Sequence, residues 1–117
     1  MPDRHIVCAA EDIPPGGRRV VQIAGRSVGI FNVDGRFYAL HNRCPHRGGA
    51  LCEGRVCGTV LPTEERAHVY GREGEILRCP WHGWEFEITT GRALVDSRVR
   101  ARTYPVTVED GDVVMTI

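Results

Sequence analysis

The stretch from Ser27 to Asn42, SVGIFNVDGRFYALHN, decides how this chain folds. Two runs rich in β-branched and aromatic residues, 27–33 and 36–42, flank Asp34-Gly35. Asp-Gly is favoured in two-residue turns that require positive φ, so the stretch predicts a β-hairpin. The carboxyl-terminal residues repeat this pattern, because Asp110-Gly111 joins the runs 106–109 and 112–117. We therefore expect a second hairpin there.

Short extended runs of the same kind occupy much of the remaining sequence. They are HIVCA (5–9), RRVVQIA (18–24), EILRC (75–79), WEFEIT (84–89), RALV (92–95) and RTYPVTVE (102–109). No window has a helical period long enough for an independent helix, and only residues 62–69 are compatible with a single turn. The pattern predicts an all-β fold, a small antiparallel sandwich or barrel.

Length and charge restrict the class of protein further. The 117 residues suffice for one domain, and 15 basic residues balance 15 acidic residues for a net charge of +0. This balance gives no global reason to expect nucleic acid or an anionic membrane as a partner, so any charged docking surface must be local. The sequence has neither an apolar membrane span nor a signal segment, and we expect a soluble cytoplasmic protein.

Two short motifs combine cysteine with histidine. The first is Cys44-Pro45-His46, followed by Arg47-Gly48-Gly49, and the second is Cys79-Pro80-Trp81-His82, followed by Gly83. Proline and glycine at these places favour tight turns that direct two side chains toward one point. Thirty-two residues, 47 to 78, separate the motifs. The two pairs must therefore meet through the fold.

Two metal centres fit a set of two cysteines and two histidines. Structural zinc is a frequent use of this set, but its usual spacing places a cysteine pair before a histidine pair. Here each loop mixes one cysteine with one histidine. Mixed loops suit a two-iron cluster in which one iron takes both thiolates and the other takes both imidazoles.

The two motifs together resemble those of the Rieske [2Fe–2S] family, which has Cys-x-His in one loop and Cys-x-x-His in the other. The resemblance extends over residues 4–117 and includes CPHRGGAL (44–51) and CPWHGWEFEITTGRAL (79–94). It implies one Rieske domain, residues 1–117, that is an antiparallel β-sandwich with a two-loop cluster-binding part at about 41–88. It also implies one [2Fe–2S] cluster, with Cys44 and Cys79 on one iron and His46 and His82 on the other, and Trp81, Gly83 and Trp84 in the covering loop.

The resemblance is to the soluble, oxygenase-associated ferredoxins of this family. Members of the cytochrome bc type have a disulfide between the cluster loops and hydroxyl donors to the cluster. Gly49 and Trp81 stand where those cysteines would be, and Trp84 and Phe86 stand where the hydroxyl residues would be. Because donors to sulfur stabilise the reduced cluster, their loss predicts a low reduction potential.

The function implied is that of a one-electron carrier between a flavin-dependent reductase and a terminal oxygenase or similar oxidoreductase. Such a carrier is a component of a multicomponent oxidoreductase and not an enzyme by itself. One alternative is a small Rieske subunit bound permanently to a larger oxidoreductase. A more distant alternative is a structural zinc module for protein interaction. The chain is too short for the additional mononuclear-iron domain of a catalytic oxygenase subunit.

The segment between the two motifs departs from the family pattern, being some 15 residues longer than in common stand-alone members. We place the extra residues at about 58–74, as either a partner surface or a solvent loop. Cys52 and Cys57 flank its start and could pair, bind a ligand or fill space. With Cys8 left over as well, two buried thiols and a chance occurrence are favoured over a second site.

The remaining histidines and a group of arginines complete the candidate residues. We expect His5 at the surface, His41 at a strand end and His68 in the long loop. Arg98, Arg100 and Arg102 alternate with smaller residues, which in a strand places them on one face. That face is either a solvated surface or a basic docking patch.

Overall fold

The computed structural model describes residues 3–45, 48–61, 69–80, 83–96 and 98–117. Ten strands lie within these ranges, with short 3₁₀ helices at Ala10–Asp12 and Leu51–Glu53. The strands are β1 (Arg4–Ala9), β2 (Arg18–Ile23), β3 (Arg26–Val33), β4 (Arg36–His41), β5 (Arg55–Leu61), β6 (Val69–Arg78), β7 (Glu85–Glu87), β8 (Thr103–Tyr104), β9 (Val106–Glu109) and β10 (Asp112–Thr116). The predicted all-β antiparallel fold is confirmed.

The strands form three antiparallel sheets. The terminal sheet has the order β1-β10-β9, the middle sheet β2-β3-β4-β8 and the loop sheet β5-β6-β7. Strand β3 is buried along most of its length, and its side chains alternate between two hydrophobic clusters. Val28 and Ile30 pack toward the terminal sheet with Val113 and Met115, whereas Phe31 packs toward the loop sheet with Leu77 and Phe86. Strand β3 is therefore covered on both faces, which explains the apolar run from Val28 to Phe31.

Both predicted hairpins are present and have two-residue turns. Val33 pairs with Arg36, and Glu109 pairs with Asp112. The turn residues all have positive φ, 51° and 88° at Asp34-Gly35 and 51° and 79° at Asp110-Gly111. These values are those for which Asp-Gly is favoured.

The segment between the cluster motifs differs from the prediction of a loop at about 58–74. Most of its described part is paired, because β5 and the ten-residue β6 form an antiparallel ladder from Arg55↔Arg78 to Leu61↔Val69. Glycines at positions 58, 71 and 74 interrupt the apolar pattern, and the sequence therefore indicated only the last part of β6. Residues 62–68, which include His68 and most of the predicted single turn, lie outside the described residues.

Two other predicted strands are also corrected. The run 92–95 forms only isolated bridges, at Arg92↔Arg100 and Phe86↔Ala93. Pro105, which lacks an amide donor, lies between β8 and β9, so the run 102–109 is two strands. Residues 98–102 form no strand, yet Arg98, Arg100 and Arg102 are exposed and Ala101 is buried, as the alternation predicted.

Candidate metal centre

Two loops carry the cysteines of the predicted site, and both depart from strand ends. Loop 1, residues 44–49, follows the end of β4, and loop 2, residues 79–84, joins β6 to β7. Cys44 and Cys79 are 1% and 2% exposed. They belong to one hydrophobic cluster, which also contains Phe31, Leu40 and Phe86. The fold thus brings the two cysteines, 35 positions apart in the sequence, into the same core.

The two loops are closed by the same pair of backbone hydrogen bonds. In loop 1 the amide of Cys44 donates to the carbonyl of Gly49 at 2.8 Å, and the amide of Gly48 donates to the carbonyl of Cys44 at 2.7 Å. In loop 2 the amide of Cys79 donates to the Trp84 carbonyl at 2.8 Å, and that of Gly83 donates to the Cys79 carbonyl at 3.0 Å. The two loops therefore have the same pattern of backbone hydrogen bonds, counted from Cys44 in one and from Cys79 in the other.

A glycine in the left-handed region makes each closure possible. Gly48 and Gly83 occupy the same position, four residues after the cysteine, and have φ of 80° and 72°. Other residues rarely adopt this conformation. The shared closure explains why each cysteine–histidine pair is followed by glycine.

Side chains hold the 3₁₀ helix that follows loop 1, Leu51–Glu53, on the middle sheet. The amide of Cys52 donates to Oδ1 of Asn42 at 2.8 Å, and Nδ2 of Asn42 donates to Oγ of Ser27 at 3.1 Å. The guanidinium of Arg18 donates to the carbonyl oxygens of Cys52 and Gly54. Sequence reasoning did not identify Asn42 or Arg18, because neither forms part of a motif.

Cys52 is packed against a glycine of the central strand. Its thiol donates to the Leu40 carbonyl at 3.3 Å, and a Cβ placed on Gly29 would lie 2.5 Å from the Cβ of Cys52. Burial raises the pKa of the Cys52 thiol to about 12. This thiol packs between the 3₁₀ helix Leu51–Glu53 and the middle sheet, and the expectation that it belongs to no second site stays a prediction.

The other predicted thiols also lie within the described ranges. All five cysteines are described, and none forms a disulfide. Cys57 is buried, whereas Cys8 is only partly buried. Burial raises the pKa of Cys8 as well.

Loop 2 is supported mainly by the strands on either side. Leu77 and Phe86 are paired, as are Arg78 and Glu85, so the ladder between β6 and β7 continues to the loop. Arg78 also forms an ion pair with Glu85, 3.1 Å between Nη2 and Oε2. The ring of Trp84 packs on Phe86 with 6.4 Å between centroids.

The structure describes only part of the predicted ligand set. Cys44 and Cys79 belong to one hydrophobic cluster, whereas His46, His82 and Trp81 lie outside the described residues. Within the described ranges no group of three or more histidine, cysteine or acidic residues could hold a metal ion. The assignment of both histidines to a second iron remains a prediction.

Outside the two loops, the remaining candidates are placed as follows. His41 ends β4, which confirms its prediction, whereas His5 is partly buried and its Nε2 is enclosed without a hydrogen-bond partner among the described residues. The expectation that His5 lies at the surface therefore holds only in part, because the residue is partly exposed while its Nε2 is enclosed. Arg98 pairs with Asp96, Arg100 donates to the Thr90 carbonyl, and Arg102 lies 5.3 Å from the ring centroid of Tyr104.

The donor set is suited to an iron–sulfur centre. Two buried thiols outside any disulfide, in loops of one design, provide the soft ligands that such a centre requires. The model of the Rieske [2Fe-2S] domain family matches residues 3–105. The chain belongs to this family, and its cofactor is a Rieske-type [2Fe–2S] cluster.

The similarity to individual relatives covers nearly the whole chain. The chain is 31% identical, over 95% of its length and 91% of the relative's, to the ferredoxin subunit of 3-phenylpropionate/cinnamic acid dioxygenase from Photorhabdus laumondii. A structure of the oxygenase–ferredoxin complex of carbazole 1,9a-dioxygenase matches at a TM-score of 0.74 and 29% identity, covering 96% of this chain and 91% of that one.

A further structure represents a different kind of relative. A chain described as the small subunit of an NADH-dependent nitrite reductase from Mycobacterium tuberculosis matches at a TM-score of 0.73 and 25% identity. It covers 100% of this chain and 96% of that one. The resemblance to oxygenase-associated ferredoxins of the Rieske family is confirmed by the dioxygenase relatives, and the nitrite reductase subunit shows that the fold occurs in another redox system too.

Proposed function

We propose that the protein is a cytoplasmic, low-potential Rieske electron carrier that moves single electrons from a flavin-dependent reductase to a terminal oxygenase or similar oxidoreductase. The observation that carries this function is the pair of equivalent loops whose buried cysteines share one apolar core. The likeness to dioxygenase ferredoxin subunits supports the choice of partners. Among the described residues, no helix is long and apolar enough to cross a membrane.

The proposed ligands are Cys44 and Cys79 to one iron and His46 and His82 to the other. When bound, the cluster supplies one-electron redox chemistry. The chain contributes a fixed pair of thiolates, because the backbone closures hold both loops. It also contributes a dry environment, since the cysteines are buried with Phe31, Leu40 and Phe86.

The proposed low potential rests on the chemistry of this core. Its fully buried members among the described residues have thiol, aliphatic or aromatic hydrocarbon side chains, and the hydroxyl-bearing residue described as packed against it, Tyr38, is only partly buried. Phe86, which is 0% exposed, has no O–H to donate to a ligand sulfur. Because such donors favour the reduced cluster, we expect a value near the low end of the Rieske range, about −150 mV.

The proposal assigns residues 1–117 to one Rieske domain, with the cluster-binding part at about 41–88. Both loops and the 3₁₀ helix Leu51–Glu53 lie within that part. A second centre is not needed for the function, since a carrier requires one site that accepts and releases an electron. The protein then acts as a component of an oxidoreductase and not as an enzyme by itself.

Iron analysis of anaerobically purified protein tests the ligand assignment. The wild type should contain two irons per chain and give, after dithionite reduction, the electron paramagnetic resonance signal of a cluster with mixed nitrogen and sulfur ligation. Cys44→Ser and Cys79→Ser should each lose most of the iron. His46→Ala and His82→Ala should lose the signal of nitrogen ligation.

Cys8→Ser and Cys57→Ser serve as matched controls, because both residues lie outside the two loops. Both variants should keep the iron content and the spectrum of the wild type. A colourless protein with one zinc would contradict the electron-transfer function and support the zinc module. Retention of the full cluster in Cys44→Ser or Cys79→Ser would contradict the ligand assignment.

The likeness to a nitrite reductase small subunit favours one alternative, a Rieske subunit bound permanently to a larger oxidoreductase. The two functions differ in the size of the native species. A carrier should elute from the native cell extract at the size of the isolated chain, whereas a permanent subunit should elute with a large partner that remains bound at high salt. The second result would replace the carrier function with the alternative.

A further inference from the structure

Three arginines converge at the end of the middle sheet from which loop 1 departs. Arg26 begins β3, Arg43 immediately precedes Cys44, and Arg102 precedes β8. The backbone brings them together around His41, whose amide donates to the Arg102 carbonyl at 2.8 Å and whose carbonyl accepts from the Arg43 amide at 2.7 Å. Pairing of His41 with Val28 places the start of β3 alongside. We call Arg26, Arg43 and Arg102 the arginine patch.

The positive charges of this patch are not neutralised within the described part of the chain. None of the ion pairs between described residues includes an arginine of the patch. These pairs join Arg4 to Glu109, Arg19 to Asp12, Arg78 to Glu85 and Arg98 to Asp96. Arg43 and Arg102 are exposed and Arg26 is partly exposed. Arg102 lies over the ring of Tyr104, which orients its guanidinium and leaves its charge in place.

The electrostatic effect of the patch is evident at His41. Burial lowers the pKa of this histidine, and the charges of Arg102, Arg26 and Arg43 lower it further. Each of the three guanidinium groups is thus close enough to act on the same imidazole. The patch is a local concentration of positive charge on a chain whose net charge is +0.

The arginine patch adjoins loop 1. A Cβ placed on Gly48 would lie 3.5 Å from Nε of Arg43, so the Arg43 side chain lies against the loop that carries Cys44. A protein that docks on the patch therefore sits beside the metal centre. This proximity is what electron transfer between two proteins requires.

We propose that the arginine patch is the docking surface for a carboxylate-rich face of a redox partner protein. The inference rests on the proposed carrier function and specifies the chemistry of the partner's surface. Guanidinium groups fit this task because they bind carboxylates in a bidentate manner. Exposed charges of opposite sign accelerate the encounter and fix its orientation, and salt weakens both effects.

A charge-matched pair of variants tests the proposal. The patch variant carries Arg26→Gln, Arg43→Gln and Arg102→Gln. The control carries Arg4→Gln, Arg19→Gln and Arg36→Gln, which removes the same charge from residues outside the patch. Two probes are used on each protein: poly-L-glutamate in titration calorimetry, and the anion hexacyanoferrate(III) as the oxidant of the dithionite-reduced cluster.

The wild type and the control should bind poly-L-glutamate equally, and the patch variant should bind it about tenfold more weakly. Oxidation by the anion should slow by a similar factor in the patch variant alone, and this difference should vanish at high salt. Equal loss of binding in both variants, or none in either, would overturn the proposal. The calorimetric measurement does not require the cluster. A protein that binds poly-L-glutamate but contains no iron would therefore contradict the carrier function while still supporting the arginine patch as a binding surface for carboxylates.

Discussion

The two cluster loops have the same backbone closure but different supports. Loop 2 joins β6 to β7, and the ladder between these strands continues to Arg78↔Glu85 next to the loop. Loop 1 has a strand on one side only, and the 3₁₀ helix Leu51–Glu53 follows it. Side chains of Asn42 and Arg18 hold that helix, and the thiol of Cys52 fixes it to β4.

The comparison shows that one local geometry can be maintained by different forces. A backbone ladder is insensitive to side-chain identity, since its hydrogen bonds survive most substitutions. A side-chain anchor fails when one partner is removed, because its buried donor or acceptor is left unsatisfied. We therefore expect loop 1 to be the more easily disrupted of the two.

The largest effect is expected at the contact between Gly29 of β3 and Cys52 of the 3₁₀ helix that follows loop 1. We call this helix, held by Asn42, Arg18 and the Cys52 thiol, the anchor of loop 1. Gly29→Ala places a Cβ 2.5 Å from the Cβ of Cys52 and 2.6 Å from its sulfur, so one backbone must shift. We expect a loss of about 2 to 3 kcal/mol in the free energy of unfolding, as for other overpacked cores. Urea unfolding of the wild type and the variant measures this loss.

A second substitution ties this effect to the anchor. In the background of Cys52→Gly the same change should cost much less, because the two nearest atoms that the new Cβ meets are gone and only Cε1 of Phe31, at 3.0 Å, remains close. Thiol labelling gives an independent measure. Cys52, whose pKa burial raises to about 12, should resist alkylation in the wild type and react in Gly29→Ala. If Gly29→Ala lowered the free energy of unfolding equally in the wild-type and Cys52→Gly backgrounds, the loss would not come from the contact between residues 29 and 52.

The next effect compares the two supports directly. Asn42→Ala removes the acceptor of the Cys52 amide and the donor to Ser27, which should cost about 2 kcal/mol. Glu85→Gln weakens the ion pair beside loop 2, whose partners are 51% and 21% exposed, and should cost less than about 1 kcal/mol. Unfolding free energies and the rate of iron loss to a chelator check the order. A larger effect at Glu85 would reverse our ranking of the loops.

Sequence and structure agree most closely where a residue type has one physical use. Asp34-Gly35 and Asp110-Gly111 were predicted as turns, since few other pairs accept positive φ at both positions. Ala24-Gly25 forms a turn of the same kind, with φ of 52° and 75°, between Ile23 and Arg26. Alanine rarely adopts this conformation, and the tertiary pairing of β2 with β3 imposes it here.

The site follows the same rule. Cys44 and Cys79 were identifiable because thiols next to histidine, proline and glycine have a specific chemical use. Asn42, Gly29 and Arg18 act on loop 1 through contacts that exist only in the folded chain. Strand β5 was missed for a related reason, because its pairing with β6 overrides the interruption at Gly58.

A smaller effect is expected at the positive-φ glycine that each loop has four residues after its cysteine. Gly48→Ala and Gly83→Ala each force a side chain into the left-handed region, which should cost about 1 kcal/mol. The equivalent backbone closures predict similar costs for both. Asparagine tolerates this region better, so Gly48→Asn and Gly83→Asn are the matched controls and should cost less. Thermal unfolding of the four variants compares them, and unequal costs for the alanine variants would show that the loops differ in their closures too.

The smallest effect follows from the charges beside loop 1, where the arginine patch has no ion-pair partner among the described residues, whereas Arg78 beside loop 2 pairs with Glu85. Burial and these arginines hold the pKa of His41 below its ordinary 6.5, so the folded protein binds fewer protons there than the unfolded chain. The stability that His41 contributes is therefore complete above pH 6.5 and declines as the pH falls toward the lowered pKa. Unfolding free energies measured from about pH 7 to about pH 5 should fall more steeply for the wild type than for His41→Asn. Parallel profiles would show that neither burial nor the arginines lower the pKa of His41 in the folded protein, and would remove this electrostatic difference between the two loops.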